Sequence, residues 1–147
     1  MKAKLTKEQA IAAIELAFNQ QPHGVEFFPV LHVRPIEQDG EVVGVNIPII
    51  NKGLIFADIP AKRMSWDDAM AYAKNKGKAL PTLKECYVIQ FFRDEIAEYM
   101  PAFADLSLWS CSQYSADYAW YVNTLGLVGY YYKYRGFTVV PLADLIY

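Results

Sequence analysis

The chain has 147 residues, 54% of them hydrophobic, 15% aromatic and 20% charged, with a formal net charge of -2. That length suits one domain with its own core, and the composition is globular, not disordered. The charge balance offers no basic footprint for nucleic acid, and no apolar run reaches the roughly 18 residues of a membrane span.

Residues 6–20 read as a helix. Thr6 is its N-cap, and Gln9 three residues on completes a capping box. Ile11, Ile14 and Phe18 recur at i, i+3 and i+7 as one apolar stripe, ended by Pro22 and Gly24. Such a helix either covers the flank of a sheet or serves oligomerisation. Glu8, Gln9 and Glu15 interrupt any apolar run here, so no secretory signal is expected; a chain without one could be cytoplasmic or virion-associated, and both locations stay open.

Residues 25–60 read as β. Val25 to Val33 is apolar, Gln38-Asp39-Gly40 is a turn signal, and Glu41 to Ile50 follows, which predicts a hairpin. Pro29, Pro35 and Pro48 point to edge positions or bulges. Asn51-Lys52-Gly53 is a second turn, and Gly53 to Ile59 a short strand closed by Pro60.

A helix over 65–76 has readable ends. Ser65 caps it, Asp67 and Asp68 suit the positive end of the helix dipole, and Gly77 stands where a left-handed residue ends a helix. Trp66, Ala69, Met70 and Ala73 form its inner stripe. The next helix starts at Leu80-Pro81-Thr82, with Thr82 and Glu85 as a second capping box, and runs to Pro101. Leu83, Cys86, Ile89 or Gln90, and Phe92 or Arg93 hold its period. Four strands complete the chain: Leu108 to Gln113, Tyr118 to Leu125, Val128 to Tyr134 and Phe137 to Leu142. The pattern is α+β with an antiparallel sheet.

The stretch Trp109 to Arg135 stands out. It holds seven of the 11 tyrosines and two of the three tryptophans. Strand side chains alternate, so Trp120 and Val122 suit an apolar face, and Tyr121 and Asn123 point the other way. Gly126 and Gly129 mark a turn. Tyr130 to Tyr134 is aromatic on both faces, interrupted by Lys133. Such a strand is buried on both sides or presents aromatics to a partner. Tyrosine suits the second role, since it offers a large rigid contact at low entropy cost, with a hydroxyl at its tip. It also favours strands without any binding role.

From Met64 onward the motifs fall in a known order. Trp66, Ala69 and Ala73 are followed by Gly77, then Leu80-Pro81-Thr82 with Glu85, then Trp109-Ser110-Cys111-Ser112. Ala119-Trp120-Tyr121-Val122, Lys133 and Val139-Val140-Pro141 complete it. This order and spacing resembles bacterial and phage proteins of the C-type-lectin fold in the DUF1566 group, distantly related to the formylglycine-generating-enzyme fold. The resemblance implies a lectin-like core over 64–147, behind an N-terminal helix (1–24) and a β-rich part (25–63), in a single domain over 1–147. It implies an antiparallel sheet with two central helices and an added N-terminal helix. Trp109 to Tyr134 is also similar to the variable region of lectin-fold proteins diversified by an adenine-mutating retroelement. In those proteins a stable scaffold carries variable residues that bind diverse ligands, often as oligomers.

The reading that follows is a non-enzymatic binding module. Its ligand face would comprise Gln113, Tyr114, Tyr118, Tyr121, Asn123, Tyr130, Tyr132 and Tyr134, with Lys133 and Arg135 at the rim. The expected partner is a protein or carbohydrate, and a homo-oligomer is possible; the alternative is a structural subunit of a phage or cell-surface assembly, and a remote one is an enzyme of the formylglycine-generating type. The Glu-Pro-Asn, Gln-Pro-Asp and Trp-Asn-Asp motifs of calcium-dependent lectins do not occur, which argues against calcium-dependent sugar binding.

Other chemistries lack their residues. His23 and His32 have no Cys or carboxylate at ligand spacing, so no metal or cofactor is expected. Nothing in the spacing builds a nucleophile-histidine pair, and there is no glycine-rich phosphate loop. Asp94, Glu95 and Glu98 read as a solvated helix face. Asp117 and Asp144 stand apart in the β region and could serve a binding site, but neither has an evident partner. Cys86 and Cys111 read as reduced and at least half buried; a bridge between them depends on their separation in space. Cys111 reads as a small core residue and not as the nucleophile of a formylglycine-generating-type enzyme.

Overall fold

The computed structural model describes residues 6–12 and 31–146. Among them the chain is α+β, with four α-helices and two antiparallel sheets. The helices are α1 (7–12), α2 (Trp66–Asn75), α3 (Leu83–Phe91) and α4 (Arg93–Tyr99). The strands are β1 (Arg34–Gln38), β2 (Glu41–Ile47), β3 (Lys52–Ile55), β4 (Leu108–Gln113), β5 (Tyr118–Val122), β6 (Val128–Tyr132) and β7 (Ala143–Asp144). One sheet has the order β1-β2-β3-β7, the other β4-β5-β6.

The sequence signals at element ends act as expected. Thr6 and Gln9 bond reciprocally, backbone to side chain, at 2.9 and 3.1 Å. Ile14, Phe18, His23 and the 25–30 part of the first expected strand lie outside the described residues. The β1–β2 hairpin turns through Asp39 (φ 53°) and Gly40 (φ 82°), the doubly left-handed turn that suits strand twist. Its first strand is displaced from the expected one: residues 31–33 are not extended into the sheet, and β1 begins at Arg34. Pro35 is tolerated there because β1 is the edge of its sheet. The strand expected over Gly53 to Ile59 ends at Ile55 and continues as a 3₁₀ turn.

Helix α2 starts with the Asp68 N–H donating to Ser65 Oγ. It ends in a Schellman motif: the Lys78 N–H donates to the Ala73 carbonyl and the Gly77 N–H to that of Lys74, both at 2.9 Å, with Gly77 at φ 69°. Thr82 and Glu85 form the expected box at the start of α3. The helix expected to run to Pro101 is instead two. The chain kinks at Phe92, which closes α3 and opens α4 at φ -98° and ψ 9°. The kink keeps Ile89, Phe92 and Ile96 all buried in one core.

Two apolar clusters flank the β4-β5-β6 sheet. One face packs Trp109, Ala119, Tyr121 and Tyr131 against Ala69 and Ala73 of α2. The other face packs Leu108 and Val122 against Cys86, Ile89, Phe92 and Ile96. The Trp-Ser-x-Ser segment accommodates a bulge: Trp109 faces Tyr121 while Gln113 faces Ala119, so four steps on β4 span two on β5. The Ser110 hydroxyl donates to the Trp120 carbonyl at 2.8 Å and accepts from the Ser112 N–H at 3.0 Å. Ser112 Oγ in turn accepts the Leu83 N–H at the start of α3. The indoles of Trp66 and Trp109 donate to the carbonyls of Ser110 and Met64, each at 2.8 Å.

The strand expected over Phe137 to Leu142 is not one ladder. Phe137 bridges Met64, Thr138 bridges Leu108, and Leu142 bridges Ala79. Only Ala143–Asp144 pairs regularly, with β3. Pro141 has no N–H to give, and the segment crosses between the two sheets, so its hydrogen bonds go to three separate places.

Arg93 is buried, and its Nη1 donates to the carbonyls of Phe103 and Leu106 at 2.9 and 2.8 Å. Its Nε donates to Gln90 Oε1 at 2.6 Å. Burial pulls the guanidinium pKa down, opposed by Asp94 and Asp105. Arg93→Met should lower the unfolding free energy by about 2–3 kcal/mol, because the carbonyls it serves stay buried. Urea denaturation of both forms checks this; an unchanged midpoint would show that the carbonyls find other donors.

Candidate functional site

The cross-strand register decides which rings face outward. Tyr118 pairs with Tyr132 and Trp120 with Tyr130, and all four lie on one face. Ala119 pairs with Tyr131 and Tyr121 with Gly129 on the other. Tyr114, just past β4, stacks on Tyr130 at 3.9 Å between centroids and 7° between planes. Tyr118 lies against Tyr132 at 4.5 Å, and Tyr132 stacks on Tyr134 at 5.2 Å. Trp120 meets Tyr114 and Tyr130 edge-on at 5.4 Å each. These six rings form one continuous strip. Tyr114, Tyr130, Tyr132 and Tyr134 are 51, 45, 39 and 71% exposed, although each touches another ring.

The expected ligand set is therefore brought together only in part. Tyr121 belongs to the inner face, stacked on Phe137 at 4.4 Å and edge-on to Trp109. Alternation holds, but both faces of this strand are apolar: Val122 is fully buried on one face, and Tyr121 on the other is half-buried against the Trp109 cluster. Asn123 is a turn residue: its Oδ1 accepts from the N–H groups of Leu125 and Leu127 at 2.9 and 3.0 Å. Gly126, at φ 83°, makes that turn flush against the Gln90 side chain, whereas Gly129 sits inside β6. Lys133 is a clasp. Its ammonium donates to Gln113 Oε1 at 2.6 Å and the Ala116 carbonyl at 2.8 Å, and lies 4.6 Å from the Trp66 ring centre. Gln113 is thereby engaged as well. Arg135 sits over Tyr131, 5.3 Å from its ring centre. Trp120, read as core, joins the strip; its pairing with Tyr130 becomes evident only when the register is known.

A groove of about 490 Å³ opens at one end of the strip, lined by Ser65, Asp67, Ala116, Asp117, Tyr132, Lys133 and Tyr134. A second cleft, about 260 Å³, lies between β1, β2 and the C-terminal segment. The other acids divide. Asp144 pairs with Lys52 at 3.4 Å. Glu95, read as solvated, is partly buried and accepts from His32 Nδ1 at 2.7 Å and the Val33 N–H at 3.3 Å. The partners are 63 residues apart in sequence, so local spacing carried no sign of the contact. Among the described residues no group of three His, Cys, Asp or Glu side chains converges on a metal position.

Both cysteines are free thiols. Burial, with the nearby Cys111 and Glu85, pushes the Cys86 thiol up to about 12. Burial also raises that of Cys111. Each thiol thus stays protonated and poorly nucleophilic at neutral pH.

No protein-family model matches the chain, and no curated protein matches it.

The strip has a titration signature. Hydrogen bonding with Tyr132 pushes the Tyr118 phenol from the ordinary 10.0 up to about 12. Hydrogen bonding with Tyr114 raises that of Tyr130. A raised phenol favours the protonated form in the folded chain. Its stabilisation is full below pH 10 and is lost as pH rises toward 12. In ultraviolet titration, the last phenol to ionise should disappear in Tyr118→Phe; a wild-type curve with all phenols near the ordinary value would refute the pairing.

Proposed function

We propose that the chain is a non-enzymatic ligand-binding module with a C-type-lectin-like fold, recognising a protein or carbohydrate on a phage or bacterial surface. The observation that carries this reading is the outward strip of Tyr114, Tyr118, Trp120, Tyr130, Tyr132 and Tyr134 on a sheet whose opposite face is core. Large rings held by stacking lose little freedom on binding, and their hydroxyls add directional contacts. The order of motifs from Trp66 to Pro141 supports the lectin-like assignment. Diversification by a retroelement is part of the proposal: the strip's outward positions make few contacts with the two cores, so substitution there spares the scaffold.

Two tests separate display from packing. Tyr130→Ala and Tyr132→Ala should each shift stability by no more than about 1.5 kcal/mol, the worth of lost ring pairing. Tyr121→Ala should cost about 3 kcal/mol or more, because it opens a cavity beside Trp109. Calorimetry compares them, and equal losses would make the strip a packing layer. Sequencing the gene and its neighbourhood across isolates tests diversification. Substitutions concentrated at the six strip positions, beside a reverse transcriptase and a template copy, are expected; an invariant strip would leave a fixed binding face.

A second copy of the chain has a separate candidate surface. Tyr87 and Phe91 on α3 are 59 and 75% exposed, and Leu125 and Leu127 on the β5–β6 turn are 83 and 64% exposed. Gln90, against Gly126, joins the two groups. Phe91→Asp should abolish self-association in sedimentation equilibrium. A wild-type monomer at all concentrations would remove this reading.

A further inference from the structure

We infer that the groove at the end of the aromatic strip receives the guanidinium of an arginine side chain from a protein partner. This deepens the binding-face reading and rests on it. Four features of the groove converge. Tyr132 and Tyr134, whose rings stack at 27° between planes, both line the groove, and Tyr134 is largely exposed. Such faces attract a cation through the ring quadrupole, and a flat guanidinium stacks on them better than an ammonium. Asp67 and Asp117 line the same groove from two different elements, α2 and the β4–β5 loop. Like most acids of the chain, neither makes an ion pair among the described residues, but these two share one groove.

The cation already present does not meet this demand. The Lys133 ammonium is drawn to Gln113, Ala116 and the Trp66 ring. Two carboxylates against one ammonium leave the lining at a net charge of -1. Asp67 is eased by the α2 N-terminus, but Asp117 stands in a loop with no such help. A neutral sugar would find rings and acceptors here, yet it would leave both charges uncompensated. An arginine brings five donors in a planar fork and a compensating charge. The groove is open to solvent, so the charge contribution should fall as salt rises.

The experiment is selection of a random displayed-peptide library on the folded full chain, with competition by N-acetylarginine amide and its neutral isostere N-acetylcitrulline amide. Selected peptides should be enriched in arginine. Arginine amide should compete and citrulline amide should not. Asp67→Asn and Asp117→Asn should each weaken binding roughly 3- to 5-fold at low salt, with unchanged thermal transitions. Peptides that need Tyr130 and Tyr132 but are indifferent to both aspartates would overturn the arginine assignment and leave the binding face standing. Peptides indifferent to the tyrosines as well would overturn both. Equal competition by citrulline amide would overturn the charge-based assignment, because shape alone would then be read.

Discussion

The segment Phe137–Leu142 is the constraint on which the second sheet depends. It is hydrogen-bonded at Met64, at Ser107 and Trp109, and at Ala79, so the starts of α2 and β4 and the approach to α3 are all fixed to one short run of backbone. Val139 enters the cluster around Trp109, while Val140 and Leu142 enter the cluster around Phe92. A segment shared by two cores cannot move without disturbing both, because protein interiors are close-packed. The sheet that carries the tyrosines is therefore held from behind by α2 and at one end by α3.

The strip is an outcome of having aromatic residues on both faces of the same strands. On the inner face, Tyr121, Tyr131, Phe137 and Trp109 pack as a core does. On the outer face, the same strand pairing sets Tyr118 beside Tyr132 and Trp120 beside Tyr130, with Tyr130 and Tyr132 exposed and Tyr118 and Trp120 half-buried. Polar groups close to the strip are used to hold it. Lys133 ties the 113–117 loop to α2, Asn123 closes the β5–β6 turn, and Ser110 fills the bulge in β4. Asp67 and Asp117 make no ion pair among the described residues, and they line the groove at the end where Tyr134, the most exposed ring of the strip, stands. The face thus has a neutral aromatic body and one acidic end, which gives an incoming ligand a direction.

Much of this was legible in the sequence, and the reason is locality. The caps at Thr6, Ser65 and Thr82, the left-handed turns at Gly40 and Gly77, and the extents of β4 and the start of β5 are set by residues within a few positions of one another. Each satisfies its own backbone groups. The concentration of tyrosine between Trp109 and Arg135 was equally plain. Which of those tyrosines face solvent was not. Period-two alternation separates two faces but does not say which is covered when both are apolar, and the bulge between Trp109 and Gln113 hides the pairing.

The sequence by itself determined the capped helix starts, the tight turns, the α+β class and the place of the aromatic stretch, since these follow from short-range sterics and hydrogen bonding. Only the tertiary structure decided that Tyr121 packs against the Trp109 cluster and that Trp120 joins the outer strip of rings. It alone divided the strands into two sheets, broke the last expected strand into three bridges, and made Lys133 a clasp. It also set Asp67 and Asp117, 50 positions apart, in one groove. Each of these depends on what lies across a gap from a residue, and that is fixed by long-range packing rather than by neighbours along the chain.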